Sequence, residues 1–223
     1  EKAPAWSGDR GLTLMSIGHE ASVSTTGAII TERDLRRGMF LSNAAIVCAM
    51  IFATAGGVPL AMLMERLEAS GTVVGLISTA ALAAGVFQIF SALLTERLPA
   101  RKPMWFWNCL IHRALWFAIP LFLLLGATVC PGLMPRLPVL LIAVLGLSAV
   151  FASVGSAPWL SWMSDLLPDR LRGRFWTVRY AFIHGAMLAS IFVFGWMMDL
   201  FPADRTLFGL TGFILVFTVA VLF

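Results

Sequence analysis

The residues able to do chemistry are few, and most sit inside long apolar runs. His112 and Arg113 lie about ten residues into one run, roughly 15 Å deep if it is a helix rising 1.5 Å per residue. A charge at that depth in a bilayer costs at least about 2.5–3.5 kcal/mol. Arg113 therefore calls for pairing with another helix or with a substrate anion. His184 lies in a later run, and no Asp or Glu falls centrally in any run. Histidines without carboxylate neighbours make a poor proton relay. Any ion coupling is left to His184, to residues elsewhere, or to none. Cys48, Cys109 and Cys130 form no CxxC pair and no metal-ligand spacing. Gly155-Ser156-Ala157 lacks the Gly-x-Ser-x-Gly frame of a nucleophilic serine. No enzyme chemistry, metal or cofactor is indicated, and recognition of a small solute suits the pattern better.

Two charged connections carry the remaining candidates. Glu96, Arg97, Arg101 and Lys102 lie in one, and Asp165, Arg172, Gly173 and Arg174 in the other. Setting topology needs only Lys and Arg. The acids among the bases suggest ion pairs that close one side of the molecule in one conformation. Glu96 is expected to meet Arg172 or Arg174, and Asp165 to meet Arg97 or Arg101.

A repeat links the two halves of the chain. Residues 51–59 (Ile-Phe-Ala-Thr-Ala-Gly-Gly-Val-Pro) match residues 150–158 (Val-Phe-Ala-Ser-Val-Gly-Ser-Ala-Pro) at an offset of 99. Phe52, Ala53, Gly56 and Pro59 recur as Phe151, Ala152, Gly155 and Pro158. Gly- and Pro-interrupted apolar segments at corresponding positions of two halves mark the substrate site of many transporters. A cavity lined by Thr54, Gly57, Pro59, Ser153, Ser156 and Trp159 is expected, with Gln88 and His184 contributed by flanking helices. The alternative is that the hydroxyls bond their own helix backbones or a neighbouring helix, as membrane hydroxyls commonly do.

The elements that must position these residues are membrane helices. The chain is 59% apolar and 13% charged, with a mean hydropathy of +0.88. Soluble domains carry about a quarter charged residues. A helix crossing the hydrocarbon needs about 20 apolar residues, and six such spans are expected near 39–64, 72–95, 104–129, 137–164, 174–199 and 207–223. With the N-terminus inside, twelve Lys and Arg face the cytoplasm and three face outward, and Arg113 lies within a span. That bias sets the orientation and explains the basic pI of about 9.5 without nucleic acid. Residues 1–34 read as a mobile cytoplasmic tail. The chain opens on Glu1 and stops at Phe223 inside an apolar run, so a fragment of a longer protein is expected.

The two charged connections resemble signatures of the major facilitator superfamily of transporters. Ala92-Leu-Leu-Thr-Glu96-Arg97-Leu98-Pro99-Ala100-Arg101-Lys102 is similar in type to its Gly-x-x-x-Asp-Arg-x-Gly-Arg-Arg loop after the second helix. It departs at the glycines, at the acid and at one arginine. Asp165-x-x-Pro168-x-x-x-Arg172-Gly173 matches the acid-x-x-Pro-x-x-x-Arg-Gly pattern after the fourth helix. The stretch 159–179 looks like a bacterial branch without a defined substrate. The resemblance covers 35–223 and implies the N-terminal six-helix half of a twelve-helix transporter, two inverted three-helix repeats in the inner membrane. It further implies a small-molecule substrate, a missing C-terminal half as partner, and charged loops acting as a conformational latch. The rival readings are a six-helix intramembrane protease and a membrane scaffold or receptor. A voltage-gated channel would carry repeated Arg along its fourth span, and 137–164 contains none.

Overall fold

The computed structural model describes residues 22–23, 29–30, 32–97, 101–167, 169–201 and 209–223, with backbone alone at 22–23, 29–30, 32, 34, 165–166 and 169–170. Most of the expected tail, Pro168, Arg205 and the side chain of Asp165 lie outside the described residues. Apart from a two-residue antiparallel pairing of Ser22–Val23 with Ile29–Ile30, the described elements are helical.

Among the described residues, five helical segments are long and apolar enough to cross a membrane. Span 1 (Leu35–Arg66) joins α1 (Glu32–Ala55) to α2 (Val58–Arg66), and span 2 (Gly71–Arg97) joins α3 (Gly71–Ala84) to α4 (Phe87–Arg97). Span 3 (Arg101–Thr128) joins α5 (Arg101–Trp116) to α6 (Ala118–Thr128). Span 4 (Pro131–Ser164) holds a 3-10 turn (Pro131–Arg136) and most of α7 (Leu137–Leu166). Span 5 (Leu171–Asp199) is the body of α8 (Asp169–Asp199). The sixth expected span, 207–223, contributes α9 (Thr211–Leu222), whose 12 residues fall short of a bilayer crossing. The described residues thus hold five candidate spans and one shorter apolar helix.

The two matched Gly/Pro patterns resolve differently, and the reason is backbone hydrogen bonding. In span 1 the helix breaks at Gly56–Gly57, where each amide bonds three residues back, to Ala53 and Thr54. Pro59 then sits in the first turn of α2, where its missing N–H has no intrahelical partner to lose. In span 4, α7 runs unbroken through Pro158. A helix-interior proline leaves the carbonyl four residues earlier without its donor. That carbonyl is Val154's, and the Ser91 hydroxyl of span 2 donates to it. The freed group is satisfied by a neighbouring helix, as hydrocarbon surroundings require.

Packing divides the bundle. Span 4 packs on span 3 through α5 and on span 2 through α3 and α4. Span 1 packs on α8 and α9, and α9 also packs on α6. Close approach of span 3 depends on two of the repeated glycines. A Cβ on Gly155 would lie 3.1 Å from Cβ of Asn108, and one on Gly56 would lie 2.9 Å from the Trp116 ring. The larger apolar core, with Leu63, Ile119, Leu123, Leu141 and Phe217, joins spans 1, 3 and 4 to α9. A smaller one around Met163, Leu167 and Phe175 lies at the end bearing Arg97, Arg101, Lys102 and Arg172, here termed the basic end.

Candidate functional site

Arg179 is the best-enclosed cation among the described residues, with 6% of its surface exposed. It sits one turn beyond Phe175 on α8. Its Nη1 donates to the Ser42 carbonyl oxygen at 3.1 Å and to Ser42 Oγ at 3.0 Å, both on α1. The guanidinium carbon lies 4.5 Å from the Trp159 ring centre of α7 and 5.8 Å from that of Phe175. Trp159 meets Trp176 edge to face at 6.0 Å. Spans 1, 4 and 5 therefore converge on one planar cation, held by carbonyl, hydroxyl and π faces. Asn43, beside Ser42, is 8% exposed, and its Oδ1 has no hydrogen-bond partner. One turn earlier Met39 packs on the small core, so Asn43 and Arg179 lie at similar depth on parallel helices.

A second polar centre joins spans 3 and 4. Ser148 is fully buried. Trp116 Nε1 donates to Ser148 Oγ at 2.9 Å. His112 Nδ1 lies 2.6 Å from Ser148 Oγ and 3.0 Å from the Ser148 carbonyl oxygen. Ser148 Oγ is also 3.1 Å from the His112 carbonyl oxygen. With Nδ1 protonated, the ring donates to the Ser148 carbonyl and the hydroxyl turns to the His112 carbonyl. With Nδ1 bare, the hydroxyl donates to the ring. Either tautomer of the ring is therefore satisfied at Nδ1. Phe52 of span 1 packs edge-on against both rings, at 5.2 Å from His112 and 4.9 Å from Trp116. Arg113 stacks over Phe52, with its guanidinium carbon 5.3 Å from the ring centre.

The residues singled out in the sequence are distributed as follows. Thr54 is buried and donates to the Met50 carbonyl of its own helix at 2.7 Å. Ser156 donates to the Ser153 carbonyl at 2.8 Å, and both residues are half-buried. Gly57 is exposed at the break and Pro59 is buried. Gln88 is exposed on α4, and His184 is exposed on α8, stacked on Tyr180 at 6.4 Å. Trp159 alone of this group joins the Arg179 cluster. At the basic end Glu96, Arg97, Lys102, Gly173 and Arg174 are exposed and Arg101 is half-buried. Arg172 donates to the Ser164 carbonyl at 3.2 Å. The expected partners of Asp165 fall outside what its backbone describes.

Open cavities among the described residues include two at opposite ends. One of about 370 Å³ at the basic end is walled by Lys102, Trp105, Trp107 and Trp162. The other, about 430 Å³, is lined by Glu65, Arg66, Glu68, Asp199 and Phe213 among others. Neither includes the residues of the matched segments. No group of three His, Cys, Asp or Glu among the described residues could hold a metal. Comparison with protein-family models, with curated proteins and with solved structures finds no match for this chain.

Sequence reasoning passed over Ser91, Ser148 and the burial of Arg179. Only Ser91 left a usable signal, since a proline inside a membrane helix implies a hydroxyl or other donor nearby.

Proposed function

We propose that this chain is the N-terminal six-helix half of a secondary transporter of the major facilitator type, moving a small solute by alternating access. The packing pattern carries the reading. Exchanging span 1 with span 4, span 2 with span 5, and span 3 with α9 turns the packing of span 1 on span 5 into that of span 4 on span 2. The same exchange turns span 1 on α9 into span 4 on span 3, and leaves span 3 on α9 unchanged. That is the relation expected of two inverted three-helix repeats with spans 1 and 4 central. The 99-residue match falls on those two spans. α9 would then be the described part of a sixth crossing, the N-terminus would be cytoplasmic, and the protein would sit in the inner membrane.

In this reading spans 2 and 5 flank the pathway. They are the least enclosed, with 6% and 17% of their most apolar windows buried. Lipid and the remaining half of the transporter would cover them. Thr54, Gly57, Pro59, Gln88, Ser153, Ser156, Trp159 and His184 are the proposed cavity residues. Glu96, Arg97, Arg101, Lys102, Asp165, Arg172, Gly173 and Arg174 are the proposed latch.

The test is solute counterflow into proteoliposomes holding the full-length protein, combined with thiol modification of Thr54→Cys and Ser153→Cys in a background lacking Cys48, Cys109 and Cys130. Exchange of a solute that is blocked by modification at either position supports the reading. Both positions unreactive in every condition, with modification leaving exchange unchanged, would remove the cavity assignment.

A further inference from the structure

The cavity at the basic end lies apart from the proposed solute cavity and from the Arg179 cluster, and shares only Lys102 with the proposed latch. Its walls are Lys102, Pro103, Trp105, Phe106, Trp107 and Trp162, enclosing about 370 Å³. Trp105 and Trp162 face each other at 6.2 Å, tilted by 42°. Phe106 and Trp107 meet edge to face at 5.6 Å and are largely exposed. Lys102 Nζ caps the groove 4.8 Å from the Trp162 ring centre. An ammonium over a π face keeps N–H donors for an oxyanion. Among the described residues no carboxylate pairs with it.

The position matters as much as the chemistry. Lys102 is the second residue of α5, at the edge of an apolar span, which puts it at headgroup level, where tryptophans also concentrate. Arg97, four residues before Arg101, adds positive potential at the same end. An oxyanion arriving there attached to hydrocarbon would place its charge on Lys102 and its glycerol and upper acyl carbons against the exposed edges and faces of the indole rings. We propose that this groove binds one anionic phospholipid, with its phosphate on Lys102 and its apolar part against Trp105 and Trp162. The proposal is independent of whether the protein transports anything.

Native mass spectrometry of the detergent-purified full-length protein tests it, using phosphatidylglycerol and phosphatidylcholine of matched acyl chains. Preferential retention of phosphatidylglycerol is expected. In Lys102→Gln that preference should fall about fivefold, the effect of one basic side chain at an anionic surface. Lys102→Arg should keep it, Trp162→Leu should lose retention of both lipids, and Trp196→Leu, near the C-terminal end of α8 and outside the groove, should change nothing. A readout that needs no variant is tryptophan quenching by dibrominated lipid in bilayers, expected to be steeper for phosphatidylglycerol. Equal retention and equal quenching by the two lipids would mean non-selective boundary lipid only and overturn the proposal. So would a Lys102→Gln protein with unchanged preference.

Discussion

At the scale of single residues, the clearest physical relation is between Pro158, Val154 and Ser91. The proline removes a donor, the carbonyl four residues earlier loses its bond, and a hydroxyl from the neighbouring span restores it. Ser91→Ala should therefore cost about 1–2 kcal/mol, the usual effect of leaving a buried acceptor unsatisfied in a membrane bundle. In a Pro158→Ala background the restored N–H takes the Val154 carbonyl, and the same serine change should cost almost nothing. A double-mutant cycle on unfolding in detergent measures this. Equal costs in both backgrounds would show that the hydroxyl does not serve the proline.

The Arg179 cluster belongs to the element scale, because one side chain ties α8 to α1 and α7. Arg179→Ala should lower stability by about 2–4 kcal/mol through loss of two charge-assisted bonds and the stacked contacts. Arg179→Lys should recover less than half of that, since an ammonium cannot stack flat on Trp159 while reaching Ser42. Thermal unfolding midpoints check both, and full recovery by lysine would reduce the role to charge alone. The crossing of α5 and α7 makes a parallel demand on Gly155. Gly155→Leu should drive Asn108 away and cost about 1–3 kcal/mol by overpacking. Gly185→Leu, where a Cβ meets nothing within 4 Å, should be neutral.

Elements also divide what could be read in the sequence from what could not. Of the six spans expected from run length, five are long enough among the described residues, because a bilayer demands about 20 apolar residues wherever a helix crosses it. The Gly/Pro pattern was visible at both positions, yet Gly57 and Ser156 head toward different outcomes. The first copy breaks its helix, whereas the second borrows a donor from another span. The contacts that decide this join residues 63 positions apart, and those of Arg179 join residues 137 apart. Periodicity within a helix carries no information about such partners. His112 looked weak as a site because no carboxylate is near it in sequence. Its partner Ser148 is 36 positions away on the facing helix.

At the scale of the whole molecule, alternating access as proposed would rock this six-helix half against the remaining half of the transporter. The charged connections at the basic end would bias that motion rather than stabilise the fold. Exposed ion pairs contribute only about 0–1 kcal/mol each, enough to shift two conformations separated by a few kcal/mol. Neutralising one acid should therefore change conformational populations while leaving expression and unfolding nearly unchanged.

The most direct test is sided thiol labelling of Thr54→Cys and Ser153→Cys in sealed vesicles, in the full-length protein with and without Glu96→Gln or Asp165→Asn. Alternating access with a charged latch predicts faster labelling from the basic side in the neutralised proteins and slower labelling from the opposite side. Identical rates from both sides in all three proteins would contradict the transporter reading and leave the charges as markers of membrane orientation.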